Sequence, residues 1–80
     1  MKITATVILN GTPYGLETES EAPNKDLIRV LLVKIGHDDS HLGNWELRNA
    51  NGHVLDPDGK IGGSPLAGPL YLSQKAGVGG

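Results

Sequence analysis

The segment NKDLIRVLLVKIG, residues 24–36, contains the one helical pattern of this 80-residue chain. Its apolar residues recur at spacings of three and four, which is typical of a helix with one buried face. These residues are Leu27, Ile28, Leu31, Leu32 and Ile35. Asn24 is predicted to be the N-cap and Gly36 to end the helix, because asparagine caps helix starts and glycine tolerates the left-handed conformation at helix ends. The helix therefore needs an apolar surface to pack on.

Alternating apolar and polar residues predict that this surface is a β-sheet. Residues 2–10 place Ile3, Ala5, Val7 and Leu9 on one face, with Ile8 as an apolar exception on the other. A turn at residues 10–15 and a second strand at 16–21 form an N-terminal hairpin. After the helix, the sequence predicts strands at 45–49, 53–55 and 70–73, with an Asn51-Gly52 turn between the first two.

The predicted order of elements is therefore β-β-α-β-β-β. This order favours an α+β fold, in which one helix packs across one face of a mixed sheet of four to five strands. The first and last strands both have strongly apolar faces and are predicted to pair in the centre of the sheet. The predicted core is Ile3, Ala5, Val7, Leu9, Leu16, Leu27, Ile28, Leu31, Leu32, Ile35, Trp45, Leu47, Leu55, Ile61, Leu70 and Leu72.

The composition limits the classes of function. The formal net charge is −2, the pI is about 5.8, and the basic residues are scattered, whereas nucleic-acid binding requires a basic face. There is no cysteine, which excludes disulfides and thiolate metal sites. The apolar runs are far shorter than the roughly 18 residues of a membrane span, and Met1-Lys2 leads into a strand pattern. We expect a cytoplasmic monomer that binds neither nucleic acid nor membranes.

Two polar segments contain potential metal ligands but are predicted to be loops. His37-Asp38-Asp39-Ser40-His41 follows the helix, and Asp56-Pro57-Asp58-Gly59 lacks the later ligands of a calcium loop. No paired carboxylates, Ser-His arrangement or cofactor loop is evident. The sequence therefore predicts no metal, no cofactor and no catalytic activity of its own.

Tyr71 is predicted to project from the sheet face opposite the helix, because Leu70 and Leu72 on either side of it belong to the core. Glu46 and Arg48 flank Leu47 in the same way, and Ile8 is the apolar exception in the first strand. An aromatic side chain among charged residues is a common anchor of protein interfaces. Tyr71, Glu46, Arg48 and Ile8 are thus a predicted partner-binding surface, with an ordinary half-exposed strand tyrosine as the alternative.

The order of elements, the length and the terminal Gly79-Gly80 resemble the ubiquitin-like β-grasp superfamily over essentially the whole chain. Met1-Lys2-Ile3 opens directly on a strand, and Leu70-Tyr71-Leu72 precedes a glycine-containing tail, as in that superfamily. The segments most similar to prokaryotic ubiquitin-like protein modifiers are Asn44-Trp45-Glu46-Leu47, Asn51-Gly52, Leu55-Asp56-Pro57 and Gly77-Val78-Gly79-Gly80.

This resemblance implies that the protein is a substrate of conjugation and not an enzyme. Residues 1–73 would form the β-grasp domain, and residues 74–80 would be a flexible tail. The carboxyl group of Gly80 would be adenylated with ATP, captured as a thioester and joined to an amine, while Gly79 suits a narrow enzyme channel because it lacks a Cβ. The implied partners are an E1-like activating enzyme, an E2-like conjugating enzyme, a deconjugating peptidase and target proteins.

Two other functions remain open on the same residues. Sulfur carriers of cofactor biosynthesis share the β-grasp fold and the Gly-Gly end, and in that case Gly80 would carry a thiocarboxylate. A non-conjugated β-grasp interaction module would use the folded domain alone. The quoted segments favour the protein modifier.

Overall fold

The computed structural model describes residues 1–37 and 42–75. The elements in chain order are strand β1 (Lys2–Leu9), strand β2 (Thr12–Glu19), helix α1 (Asn24–Lys34), strand β3 (Trp45–Arg48) and strand β4 (Leu70–Gln74). Two short 3₁₀ helices, Leu42–Asn44 and Ser64–Ala67, lie in the connections. The possible ligands at 38–41 and the predicted conjugation residues Gly79 and Gly80 lie outside the described residues.

The four strands form one mixed sheet in the order β2-β1-β4-β3. β1 pairs antiparallel with β2 and parallel with β4, and β4 pairs antiparallel with β3. The first and last strands are therefore central neighbours, as predicted. Helix α1 packs across one face through the apolar residues of its spacing pattern, which confirms the α+β fold.

A single apolar core lies between α1 and the sheet. Its buried members are Ile3, Ala5, Val7, Leu9, Leu16, Leu27, Ile28, Leu31, Leu32, Leu47, Ile61, Leu70 and Leu72. Three further residues predicted as core, Ile35, Trp45 and Leu55, are only partly buried. Each of the three lies at the border of the region where α1 covers the sheet. Ile35 is the C-cap of α1, Trp45 begins an edge strand, and Leu55 lies in a loop.

The β1–β2 hairpin is tighter than predicted. Asn10 and Gly11 have φ angles of 53° and 80°, so they form a two-residue turn in which both residues are left-handed. β2 consequently begins at Thr12, opposite Leu9, and not at residue 16. Pro13 lies within the strand, which is possible because β2 is at the edge of the sheet.

The start of α1 differs from the prediction. Pro23 occupies the N-cap position and makes no side-chain cap, so the assignment of Asn24 as N-cap was wrong. The loop at residues 56–59 caps the helix instead: the carbonyl oxygens of Gly59 and Pro57 accept hydrogen bonds from the backbone N–H groups of Asn24 and Lys25 at 2.8 and 3.0 Å. Asn24 is buried, and its Nδ2 donates to the carbonyl oxygen of Asp56 at 2.9 Å.

The end of α1 is as predicted. Gly36 has a φ of 75°, its N–H donates to the carbonyl oxygen of Val33, and the N–H of His37 donates to that of Leu32. This pair of hydrogen bonds is the Schellman motif, which satisfies the last carbonyl groups of a helix and favours glycine at the left-handed position.

The strand predicted at residues 53–55 is reduced to a single bridge between Arg48 and Val54. The preceding loop closes on a side chain, because Oδ1 of Asn49 accepts hydrogen bonds from the N–H groups of Asn51 and His53 at 2.9 and 3.1 Å. Two backbone hydrogen bonds flank the bridge. The N–H of Asn49 donates to the carbonyl oxygen of His53 at 3.0 Å, and the N–H of Leu55 donates to that of Leu47 at 2.7 Å. The sheet therefore has four strands.

Candidate functional site

Three of the predicted partner-binding residues lie in one row across the sheet, on the face opposite α1. The register places Ile8 of β1 directly beside Tyr71 of β4, and Tyr71 directly beside Arg48 of β3. Directly opposed residues on neighbouring strands have neighbouring side chains on the same face of the sheet, so these three residues form a row. Tyr71 is 42% exposed at the centre of this row.

The guanidinium group of Arg48 is held at one end of the row. Its Nη1 donates to the carbonyl oxygen of Gly52 at 2.9 Å, and its Nη2 lies 3.3 Å from Oε1 of Glu46. Glu46 itself is opposite Ser73, one step further along the same face. Glu46 therefore orients Arg48 and partly neutralises it, and the row presents an aromatic ring between an aliphatic side chain and a positioned cation.

Two further residues extend the row and were missed in the sequence. Pro13 is opposite Ile8, and Val54 is bridged to Arg48 and is 50% exposed. The signal for Pro13 was present, because a two-residue Asn-Gly turn fixes the hairpin register and places Pro13 beside Ile8. There was no such signal for Val54, because the strand predicted at residues 53–55 was not assigned an inner and an outer face. We call Pro13, Ile8, Tyr71, Arg48 and Val54 the tyrosine row.

The composition of the tyrosine row makes it a candidate binding surface. It combines apolar contact area with one tyrosine and one arginine, and these two residue types are enriched in protein interfaces. The described residues contain no group of three or more His, Cys, Asp or Glu side chains placed to hold a metal ion. In the part of the chain that the structure describes, no helix is long and apolar enough to cross a bilayer.

The order and pairing of the elements define a ubiquitin-like β-grasp fold. A protein designed from ubiquitin superposes with a TM-score of 0.71 at 14% identity, covering 99% of this chain and 95% of the design. The RA domain of a guanine nucleotide exchange factor for Rap1 gives 0.68 at 19% identity, with 96% and 78% covered. The EccD5 ubiquitin-like domain from Mycobacterium xenopi gives 0.54 at 12% identity, with 94% and 96% covered. At these identities the likeness concerns the fold alone.

The chain belongs to the DUF2604 family, described as proteins of unknown function, whose model matches residues 1–80. It is also 35% identical to the uncharacterized protein y4jI of Sinorhizobium fredii (strain NBRC 101917 / NGR234), over 99% of this chain. The chain spans 62% of the length of that relative.

Proposed function

We propose that this protein is a ubiquitin-like modifier, joined to amines of target proteins through the carboxyl group of Gly80. The observation that supports this proposal is the position of the Gly-Gly pair after a central strand. β4 is held between β1 and β3, and Gly80 follows Gln74, its last residue, by six positions in the sequence. Six residues span at most about 20 Å, enough to carry a carboxyl group from the domain into an enzyme channel.

The proposed chemistry is activation of a poor electrophile. An E1-like enzyme transfers AMP from ATP to the Gly80 carboxylate and releases pyrophosphate. A cysteine thiolate of that enzyme attacks the acyl-adenylate and displaces AMP, which gives a thioester. A thiolate of an E2-like enzyme then displaces the first thiolate and takes over the acyl group. A target amine attacks the thioester carbon, the thiolate leaves, and an amide bond forms. Gly79 and Gly80 have no Cβ, which allows the close backbone approach that each transfer requires.

The tyrosine row is the proposed recognition surface for these enzymes. It lies on the face that α1 leaves open, and its centre, Tyr71, belongs to the same strand that leads to the Gly-Gly pair. An enzyme that binds Tyr71 is thereby held at a fixed position relative to the start of the tail. Rigid aromatic anchors of this type dominate the binding energy of protein interfaces.

The proposed modification has a specific signature after trypsin digestion. Trypsin cleaves after Lys75, so a conjugated target lysine retains the remnant Ala-Gly-Val-Gly-Gly, residues 76–80. The tagged chain is expressed in a bacterium that encodes it, and total protein is digested and searched by mass spectrometry for lysines carrying this remnant. We expect modified target lysines with the unchanged chain. We expect none after deletion of Gly80, and fewer with Gly80→Ala because of the added Cβ.

Two other results would contradict conjugation. A protein recovered with one sulfur in place of one oxygen at Gly80 would assign it to sulfur transfer. The second result is obtained in extract supplied with ATP and inhibitors of cysteine peptidases. If the chain stays unmodified there and no lysine carries the remnant, the protein would act as a binding domain only.

The role of the tyrosine row is tested separately with Tyr71→Ala. We expect this variant to keep the fold, since the ring is on the open face, and to give at least about fivefold less conjugate because an interface anchor is lost. Val33→Ala is the matched control, because Val33 is 56% exposed on the opposite, helical side. Equal conjugate yields from the two variants would exclude the row as the recognition surface.

A further inference from the structure

A concave site lies at the edge of the sheet formed by β3, next to Val54 of the tyrosine row and the start of α1. It is a cavity of about 230 Å³. Its walls are largely apolar and come from the helix, the 3₁₀ helix before β3, β3 itself and the loop after it: Ile28, Leu42, Trp45, Leu47 and Leu55. We call this cavity the β3 pocket. It explains why Trp45 and Leu55, both predicted as core, are only partly buried.

The size of the β3 pocket limits what it can hold. Pockets for cofactors and drug-sized molecules are usually about 300–1,000 Å³, so this volume is suited to one large side chain. An apolar side chain of another protein, inserted as an anchor, matches both the volume and the apolar walls.

The charges at the rim indicate the polarity of such a segment. Lys25, Asp58, Glu46 and Lys75 all border the pocket. Nζ of Lys25 is paired with Asp58 at 3.1 Å, and Glu46 is paired with Arg48 at 3.3 Å. Within residues 1–37 and 42–75, no ion pair involves Lys75. The rim therefore has one uncompensated cation, which attracts an anionic group.

The polar groups at the start of α1 are not available to a ligand. The N–H groups of Asn24 and Lys25 already bind Gly59 and Pro57, so the helix terminus is not the anion site. Asn24 lines the pocket, but its Oδ1, which has no hydrogen-bond partner among the described residues, is enclosed by protein atoms and is not open to a ligand.

We infer that the β3 pocket is a second protein-binding site, which takes an apolar side chain adjacent to a carboxylate in a partner segment. The apolar side chain fills the cavity against Trp45, and the carboxylate pairs with Lys75. This inference does not depend on conjugation through Gly80, because it uses only the folded domain.

Trp45 is the only tryptophan of the chain and lines the pocket, so its fluorescence reports occupancy directly. The 80-residue protein is titrated with the blocked dipeptide N-acetyl-leucyl-glutamyl amide. We expect a saturable change in emission at millimolar concentration. We expect at least about fivefold weaker binding of N-acetyl-alanyl-glutamyl amide, which leaves the cavity unfilled, and of N-acetyl-leucyl-lysyl amide, which repels Lys75.

Two matched variants locate the response. Lys75→Glu reverses the charge that pairs with the probe, at a residue that borders the pocket and does not belong to the tyrosine row, and should weaken binding of the leucyl-glutamyl probe at least about fivefold. Lys34→Glu makes the same change at an exposed lysine that does not line the pocket, and should bind as the unchanged protein does. Equal effects of the two variants would contradict the site.

Other occupants give different results. If residues 76–80 of the same chain fill the pocket, their deletion changes Trp45 emission and strengthens probe binding. If a second copy fills it, emission changes with protein concentration and the sedimentation coefficient rises. Either result, an equal response to all three dipeptides, or no response to any, overturns the inference.

Discussion

Glu21 and the amino terminus form an ion pair on the surface of the hairpin. The α-ammonium group of Met1 lies 2.6 Å from Oε2 of Glu21 and 3.2 Å from Oε2 of Glu19. The hydrogen bond from this ammonium group lowers the pKa of Glu21 to about 2, and the hydrogen bonds to Glu21 and Glu19 raise the pKa of the Met1 amine. The pair is fully exposed, so water and salt screen it.

We expect Glu21→Gln to remove a small, pH-dependent part of the stability. The contribution of Glu21 is present above its usual pKa of 4.5 and is lost as the pH falls through about 2, because the folded-state pKa is lowered. The contribution of the amine is present below 8.0 and is lost as the pH rises through its raised pKa. Urea unfolding should therefore show the largest difference from the unchanged protein between these limits.

The same measurement in high salt should reduce the difference, because screening weakens exposed pairs. Glu17→Gln is the control, since the Glu17 carboxylate lies 3.6 Å from Lys2 and does not contact the amino terminus. Parallel pH profiles for the unchanged protein and Glu21→Gln would mean that the ion pair contributes nothing in solution.

Single residues also show where the sequence was insufficient. The alternation in β1 and β4 correctly placed Ile8 and Tyr71 on the open face, because a two-residue period assigns faces without knowledge of neighbours. Pro13 was missed because the turn at Asn10 was predicted to be longer than it is, and Val54 was missed because its position depends on its pairing partner. The amide of Asn24 has the chemistry of an N-cap, but its use by the loop at 56–59 depends on tertiary contact, which local sequence does not encode.

The left-handed end of α1 gives a prediction for the helix as an element. Gly36 has a φ of 75°, and a Cβ added there would contact nothing within 4 Å, so Gly36→Ala tests the backbone conformation alone. We expect a loss of about 1 kcal/mol in the free energy of unfolding, measured with urea. Gly43→Ala adds a Cβ into equally open space without a left-handed φ and should change stability little. A similar loss from both would indicate a different cause.

The buried face of α1 gives a larger effect. Leu31 is fully buried between the helix and the sheet, so Leu31→Ala removes buried apolar area and leaves a cavity. We expect a loss of about 2–5 kcal/mol in urea unfolding, a large share of the stability of so small a domain. Val33→Ala, two residues away on the exposed side, should cost well under 1 kcal/mol. A loss below 1 kcal/mol for Leu31→Ala would contradict the packing of the helix on the sheet.

At the scale of the whole molecule, the central pairing of the first and last strands followed from the sequence, whereas the limits of the loops did not. Both β1 and β4 have strongly apolar faces, which favours a position with a neighbouring strand at each edge. This predicted that the two strands pair in the centre of the sheet. The loop at 53–55 was read as a strand because Asn51-Gly52 is a hairpin signal, but Asn49 closes the loop through its own side chain. The pocket beside β3 is formed by four separate segments, so no local pattern indicated it.

The independence of the fold from residues 77–80 is a prediction at the scale of the whole molecule. Every buried core residue of the described structure lies between Ile3 and Leu72. The last backbone hydrogen bond of the described residues runs from the N–H of Lys75 to the carbonyl oxygen of Asn44, at 2.9 Å. Deletion of residues 77–80 is therefore expected to leave the melting temperature nearly unchanged. Calorimetry of the two chains checks this, and ¹⁵N relaxation should show fast motion in the tail. A clear drop in melting temperature would mean that the tail contributes to the fold.

The parallel pairing of β1 with β4 has a consequence for synthesis on the ribosome. β1 is made first among the strands and β4 last, yet each completes the other's hydrogen bonding. While the chain is being translated, the edge of β1 that pairs with β4 has no partner, and unpaired strand edges invite pairing with other chains. The native sheet forms only after β4 has emerged. We therefore expect the nascent chain to be most prone to aggregation just before residues 70–74 leave the exit tunnel.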